Sequence, residues 1–414
     1  MNAGSIKNGN QHAVYLVSGS RTPIASFGRS LKNLSVTRLA AHSMQQAIRR
    51  AGIISEQIDS IVLGHGYQSS YAPNTARVSA QEAQLSDAIP AMTVQRQCGS
   101  GMEAATAGTH EILLGKSDIV LVGGVESMST IPYLLPGKLR WQGLIAQKLP
   151  KLVRLGPRPV FFQIADNGLA PTALIWDMKT IYMSGTAQRL ADTYSISRQA
   201  ADEYSLRSQE LAQKAIASGR FAKEIDPIFV PGKGYFSVDE HPRKTNLEKL
   251  AALPSVLKTK DITAGNSSGI NDGACALILA SAEKVQELNL KPLAKIIDSC
   301  AAGVDAEQMG IGPVAAISKL LKRNNLSISD IDLIEINEAF AAQYLACEKF
   351  LHLDREKVNV NGGAIALGHP IGMSGARLLL TLAYELQERG LKRGIASLCV
   401  GGGMGIATLI ERAE

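Results

Sequence analysis

The chain has 414 residues, 45% of them hydrophobic and 19% charged, and a net charge of +6. That balance excludes a disordered chain, and the length calls for two or three domains of roughly 100–200 residues. No apolar run is long enough to span a bilayer and no nucleic-acid-binding motif accompanies the modest positive charge, which instead suits an acidic small molecule focused into a cleft.

Residues 1–12, MNAGSIKNGNQH, are polar and lack the apolar core of a secretory signal, and the final ERAE is no peroxisomal tripeptide. A cytoplasmic location is therefore expected. Strands are predicted at 13–18, 60–64, 118–123, 275–280, 332–336 and 394–400, and helices at 36–51, 100–115, 197–218, 314–323 and 373–388. The alternation predicts a layered α/β protein. The order also contains a repeat. A helix, the strand QIDSIVLG, Cys98, a helix and DIVLVGG are followed later by a helix, DIDLIEIN, His369, a helix and ASLCVGG. Cys98 lies 39 residues after Asp59 and His369 lies 37 after Asp332, while the glycine pairs beginning at Gly123 and Gly401 lie 64 and 69 after the same aspartates. Matched spacing predicts a duplicated fold with a site where the strand ends of both halves meet. Residues 131–250 break the pattern, with no Asp or Glu between Ser127 and Ala165. We read 131–250 as an insertion covering the mouth of the site, 1–130 plus 251–283 as the first half and 284–414 as the second.

The five cysteines include no CxxC, so neither a disulfide framework nor a metal site is expected. Cys275, Cys300 and Cys347 lie in apolar or helical stretches and read as packing residues. Cys98 and Cys399 differ, because each sits where a strand runs into glycine, in QCGSGM and CVGGGMG. Small neighbours let substrate and backbone N–H groups approach closely. Cys98 also precedes a helix, whose dipole is expected to favour its thiolate. His369 lies in GGAIALGHPIGMSGAR, and its imidazole can take a thiol proton and then face an oxyanion. His65, in GHGYQS, has a weaker version of the same setting. Asn337 follows an apolar strand in NEAFAAQ; it can cap a helix, hold a water or donate to a carbonyl oxygen. The glycines after Cys399 resemble a dinucleotide loop, but no helix with a distal acid follows. Cysteine, histidine and asparagine also make up papain-like proteases. Here the order Cys98, Asn337, His369 and the text CGSGM both depart from that pattern.

Taken together, QCGSGMEA, GGVESMS (123–129), GNSSGINDGA (265–274), NEAFAAQ, GGAIALGHPIGMSGAR and CVGGGMG resemble the motifs of the thiolase family over nearly the whole chain, and 195–221 is similar to its linking text. The resemblance implies a duplicated five-layered α-β-α-β-α fold with an inserted loop domain, a homodimer or homotetramer, and reversible Claisen chemistry on coenzyme A thioesters. No metal and no cofactor are implied, coenzyme A and acyl-CoA being substrates and products. The implied roles make Cys98 the nucleophile, His369 its base, Cys399 the proton donor to the leaving enolate and Asn337 the holder of a water. Oxyanion pockets fall to His369 and to the N–H groups of Cys98 and Gly401. Ser268, Arg220 and Met183 are the implied coenzyme A contacts. Biosynthetic members carry His-Met-Gly where this chain has Met183-Ser184-Gly185, which favours a degradative 3-ketoacyl-CoA thiolase of broad chain length over an acetoacetyl-CoA enzyme. A β-ketoacyl synthase would have no use for Cys399, and a silent lipid carrier none for the full set of four. The basic stretch 138–158, with Trp141, reads as a solvated loop, a membrane-surface segment or a docking site for a β-oxidation dehydrogenase.

Overall fold

The computed structural model describes residues 13–134, 165–166, 172–174 and 180–414. The main sheet uses, in chain order, β1 (Val14–Arg21), β2 (Ser60–His65), β3 (Ala91–Val94), β4 (Ile119–Ser127), β5 (Asn271–Ser281), β6 (Ala294–Gly303), β7 (Leu333–Ile336), β8 (Arg393–Val400) and β9 (Met404–Arg412). Across the sheet they run β7-β8-β9-β6-β1-β5-β4-β2-β3, with the short strand Ala25–Ser26 beside β5. The helices that matter to the site are α1 (Val36–Ala51), α2 (Thr75–Glu82), α3 (Ser100–Leu113), α4 (Met183–Tyr194), α5 (Arg198–Ala217), α6 (Gly312–Arg323), α7 (Ala341–Leu351) and α8 (Ile371–Arg389).

The duplication is visible bond by bond. β2 pairs β4 in parallel from Ser60↔Val120, and β7 pairs β8 in parallel from Leu333↔Gly394. Asp59 accepts the N–H groups of Asp118 and Ile119 at 2.8 and 2.9 Å; Asp332 accepts those of Lys392 and Arg393 at 2.9 and 2.8 Å. The β1–β5 register slips between Leu16 and Ser18, and the β6–β9 register slips at the matching place, between Ile296 and Asp298. The halves join where β1 and β6 pair antiparallel, Val14 to Ile296 and Leu16 to Ala294. In this register Asn337 corresponds to Gly64 and Cys399 to Val125. The glycine pairs at 123 and 401 are therefore not equivalent, which is why their spacings from Asp59 and Asp332 differed.

Both faces of the sheet are covered, so each strand alternates between two apolar layers. Val120 and Val122 of β4 face a central cluster with Met102, Ala105, Leu379 and Leu386, while Ile119 and Leu121 face Leu39, Met44 and Ile48 of α1. In the other half, Leu398 and Ile406 join the central cluster, while Ile395 and Leu409 face Ile317 and Leu320 of α6. Three apolar clusters thus separate five layers: α1 and α2, one half of the sheet, α3 with α8, the other half, and α6 with α7. The α1 boundaries follow local chemistry. Ser35 caps its N-terminus by accepting the Arg38 N–H at 3.0 Å, and Gly52 ends it in the left-handed conformation.

The two central helices cross with almost no side chain between them. A Cβ on Gly101 of α3 would stand 2.6 Å from the Gly372 carbonyl oxygen of α8. The described part of the inserted segment has no separate core. Ala212, Phe221 and Ile225 enter the central cluster, Ile228 and Val230 the α1 cluster, and Tyr204 the α6–α7 cluster. Arg21 of β1, fully buried, bonds Asp239 at 2.8 and 2.9 Å and Glu224 at 2.7 Å, tying that segment to the sheet. The basic stretch 138–158 lies outside the described residues. No described helix is long and apolar enough to cross a membrane.

Candidate active site

Cys98 stands in a tight turn between β3 and α3. The Gly99 N–H bonds the Arg96 carbonyl at 2.8 Å, the Ser100 N–H bonds the Gln97 carbonyl at 3.0 Å, and the Ser100 hydroxyl donates to that same carbonyl at 2.6 Å. The turn forces Gln97 to φ 43°, a left-handed conformation that costs a non-glycine residue on the order of 1 kcal/mol and recurs where geometry serves a site. Cys98 is partly exposed, whereas Cys275, Cys300, Cys347 and Cys399 are buried. Burial pushes the thiol up to about 11, with the Glu126 charge adding to that rise and the nearby backbone N–H groups of Gly401 and Cys98 opposing it. The expected thiolate is thus corrected. The helix cap is Gly99, one residue beyond Cys98, and desolvation outweighs the dipole.

His369 follows Gly368, held at φ 99°, and precedes Pro370, the N-cap of α8. Its N–H donates to Asn271 Oδ1 at 2.9 Å. Its Nδ1 lies 2.6 Å from the Ser374 hydroxyl, which spends its own proton on the Pro370 carbonyl at 2.9 Å. Nδ1 therefore carries the ring proton, leaving Nε2 unprotonated, with Asn337 Nδ2 donating to it from 3.5 Å. Burial, then the charge of Arg377, lowers this histidine to about 4. The imidazole is neutral at physiological pH and its free nitrogen is a base.

Asn337 does not cap a helix, since α7 begins four residues later with Phe340 as its cap. Its N–H bonds the Ser397 carbonyl at 2.9 Å, extending the β7–β8 pairing, and its Oδ1 is buried without a partner. Cys399, fully buried near the end of β8, is pushed well above the usual thiol range by burial and then by the neighbouring Cys98, so ionising one sulfur opposes ionising the other. Gly401 comes two residues later, and a Cβ there would meet Gln97 Cγ at 3.9 Å. Met183 packs with Met309, Ala339, Phe340 and Cys399, and the next residue, Ser184, keeps a buried hydroxyl without a partner. Ser268 is partly exposed, and its N–H bonds the Ala339 carbonyl at 3.0 Å, two residues from Asn337. The Cys98 turn meets the glycine turn that follows Cys399, His369 meets Asn337, and Met183 and Ser268 lie against Cys399 and Ala339 respectively. The starts of α3 and α8 touch through Gly101 and Gly372.

Several residues escaped the sequence reading. Glu338, fully buried, accepts Tyr204 and Ser208 hydroxyls at 2.7 Å each, Asn359 Nδ2 at 3.1 Å and the Ile365 N–H at 3.1 Å. It locks the segment carrying Asn337 to α5 and to the approach to His369. Glu338, Ser374 and Asn271 all sit inside the motif blocks. A buried acid next to Asn337 and a serine five residues past His369 were the available signals. His65 is a buried partner of Glu126 at 3.2 Å and Thr75 at 2.8 Å. Among the described residues no cluster of three or more His, Cys, Asp or Glu side chains is placed to hold a metal ion.

Family models match nearly all of this framework. The thiolase N-terminal domain covers residues 14–283 and the thiolase C-terminal domain residues 290–412. The chain belongs to the thiolase family. It is 44% identical over 404 residues to an acetyl-CoA acetyltransferase of Syntrophomonas wolfei, covering 96% of this chain and 98% of that one. It is 41% identical, with the same coverage, to the mitochondrial 3-ketoacyl-CoA thiolase of Bos taurus. Among solved structures, the Bacillus anthracis acetyl-CoA acetyltransferase superposes with a TM-score of 0.88 at 44% identity, covering 98% of this chain and 100% of that one. Human mitochondrial 3-ketoacyl-CoA thiolase in complex with CoA superposes with a TM-score of 0.88 at 40% identity, covering 98% and 99%. This thiolase is an acyltransferase with the duplicated α/β fold of its relatives.

One expected coenzyme A contact does not fit this thiolase. Arg220 is buried, with its guanidinium held by Glu385, by Glu224 at 3.4 Å and by the Thr381 carbonyl at 3.1 Å, and stacked 5.6 Å over the Tyr384 ring. It is spent on the fold and presents no free fork to a phosphate. Arg220→Leu is expected to leave KM for coenzyme A within about twofold while destabilising the fold by about 3 kcal/mol, because Glu385 and Glu224 lose a buried partner. Steady-state kinetics and urea unfolding check this; a large rise in KM with unchanged stability would restore the phosphate role.

Proposed function

We propose that the enzyme cleaves 3-ketoacyl-CoA with coenzyme A through an acyl-Cys98 intermediate, and runs the same steps backward in condensation. His369 Nε2 takes the Cys98 proton as sulfur attacks the 3-keto carbon, so the nucleophile forms only when substrate is in place. The Cys98 and Gly401 N–H groups face the oxygen of the tetrahedral adduct. Carbon–carbon cleavage releases the acetyl-CoA enolate, whose oxygen is stabilised by His369 together with a water held by Asn337. Cys399 protonates the enolate carbon. Coenzyme A, deprotonated at the site, then takes the acyl group from Cys98. An oxyanion donor of this kind is worth about 3 kcal/mol of barrier. The observation that carries this reading is the seating of the Cys98 turn on the loop after Cys399, where a Cβ on Gly99 would stand 3.0 Å from Val400 Cγ2, with His369 Nε2 3.5 Å from Asn337 Nδ2.

The same reading extends to chain length. Met183 and Ser184 stand where biosynthetic relatives carry a histidine and a methionine. Met183 packs against Cys399, and Ser184 fills less space than methionine, which favours a pocket open to longer acyl chains. Thiolysis rates measured over acetoacetyl-CoA to 3-ketodecanoyl-CoA are expected to stay within about tenfold of one another. A hundredfold preference for acetoacetyl-CoA would instead make the enzyme an acetoacetyl-CoA thiolase.

A further inference from the structure

We propose that Glu126 is a positioning residue for this reaction, a buried carboxylate that fixes the start of the His369 helix against the loop beside Cys98. Three backbone N–H donors and an imidazole converge on it. Oε2 accepts the Gly66 and Gly372 N–H groups at 3.0 Å each and Oε1 accepts the Tyr67 N–H at 3.2 Å, while His65 Nε2 stands 3.2 Å from Oε1. Gly66, Tyr67 and His65 belong to the first half of the duplication, Gly372 to the second. Helix α8 has Pro370 as its cap, which offers no side-chain acceptor, so Glu126 supplies from another strand the anion that this N-terminus lacks. The fit is close: a Cβ on Gly66 would stand 2.6 Å from Glu126 Oε2 and 2.8 Å from Ile371 Cγ2. His369 precedes Gly372 by three residues, so a shift of this helix start carries the imidazole with it.

Glu126 also acts through charge. The groups that bear on the Cys98 sulfur are Glu126, Tyr67 from the loop after β2 and Cys399 from β8; Arg96 on the Cys98 turn is already paired with Glu103 at 2.6 Å. After burial, which is the larger effect, the Glu126 charge opposes the Cys98 thiolate. The residue therefore helps keep Cys98 protonated until substrate arrives and holds the base that will deprotonate it.

The proposal rests on Cys98 as nucleophile and His369 as its base, and its test uses two readouts. In the full-length enzyme, Glu126→Gln is expected to lower kcat by about 10- to 100-fold, the cost of misplacing a reacting group by up to an ångström, with KM changed less than about threefold. Iodoacetamide labelling of Cys98, the partly exposed thiol, measured without acyl-CoA, is expected to move its midpoint to lower pH because the opposing charge is gone. A merely structural loss would lower melting temperature without that displacement. Wild-type kcat together with an unmoved midpoint would overturn the proposal. Should Glu126→Gln not fold, Glu126→Asp keeps the charge one methylene short. A tenfold loss of kcat then supports the role, and an undiminished kcat overturns it. Cys98→Ala separates the two layers: if it abolishes turnover while Glu126→Gln changes nothing, only the Glu126 role fails.

Discussion

Cys98→Ala is expected to reduce thiolysis by roughly 10^4-fold or more, while Cys399→Ala leaves the enzyme able to become acetylated yet unable to turn over. On the proposed mechanism, removing the sulfur that carries the acyl group removes the two-step route itself, and residual rate comes only from binding and the oxyanion pockets. Cys399 has a narrower task. Acetyl transfer between coenzyme A and Cys98 involves no enolate, so it needs no carbon protonation. Cleavage and condensation do, and loss of the acid is expected to cost roughly 10^2–10^4-fold. Incubation with radiolabelled acetyl-CoA followed by peptide mapping distinguishes the two. Label on Cys98 in Cys399→Ala with thiolysis lost is the expected pattern. Wild-type turnover by Cys399→Ala, or label retained in Cys98→Ala, would contradict the assignment. Because the groups act as one unit, combining the replacements is expected to cost little more than Cys98→Ala alone.

Gly124→Ala is expected to destabilise the enzyme by at least about 3 kcal/mol, and in the marginal stability of a folded domain that is a large share. Its Cβ would collide with the Gly372 carbonyl and stand 3.0 Å from the Gly101 Cα, backbone in each case. Side chains can rotate away from a new methyl; two helices and a strand already in contact cannot. Gly303→Ala serves as control, since the nearest atom to its Cβ is 4.0 Å away, and a change within about 0.5 kcal/mol is expected. Urea unfolding of both variants decides the matter. Equal stabilities would mean that the central helices can separate without cost.

These glycines also mark the limit of what the sequence told. Their abundance around Cys98 and His369 read as room for substrate, yet Gly101, Gly124 and Gly372 serve mainly to let α3, α8 and β4 touch. Composition cannot tell a glycine that admits a ligand from one that admits a helix. The strands at 14–21, 60–65, 119–127, 271–281, 333–336 and 393–400 were legible because both faces are buried and the runs are apolar. β3, β6 and β9 were missed: AMTV is only four residues long, and in AKIIDSCAAG and MGIATLIER polar residues and glycine interrupt the apolar pattern. The helix Ala341–Leu351 was missed because it is apolar nearly all round, which hides its period. Cys98, His369, Asn337 and Cys399 stood out through setting and order. Arg220, implied by the resemblance alone, misled because the acids that claim it lie on α8, 165 residues away in Glu385, and four residues on in Glu224. The expectation that Cys98 rests as thiolate failed because burial is a tertiary quantity that a helix-start motif does not report.

The matched registers of the two halves have an outcome for stoichiometry. Gly64 and Val125 stand where the other copy places Asn337 and Cys399, and a Cβ on Gly64 would collide with the Ser100 carbonyl, so in the first copy backbone fills the place the second gives to the amide. One such amide and thiol pair per chain follows: the duplication supplies the strand frame twice but the room for those side chains once.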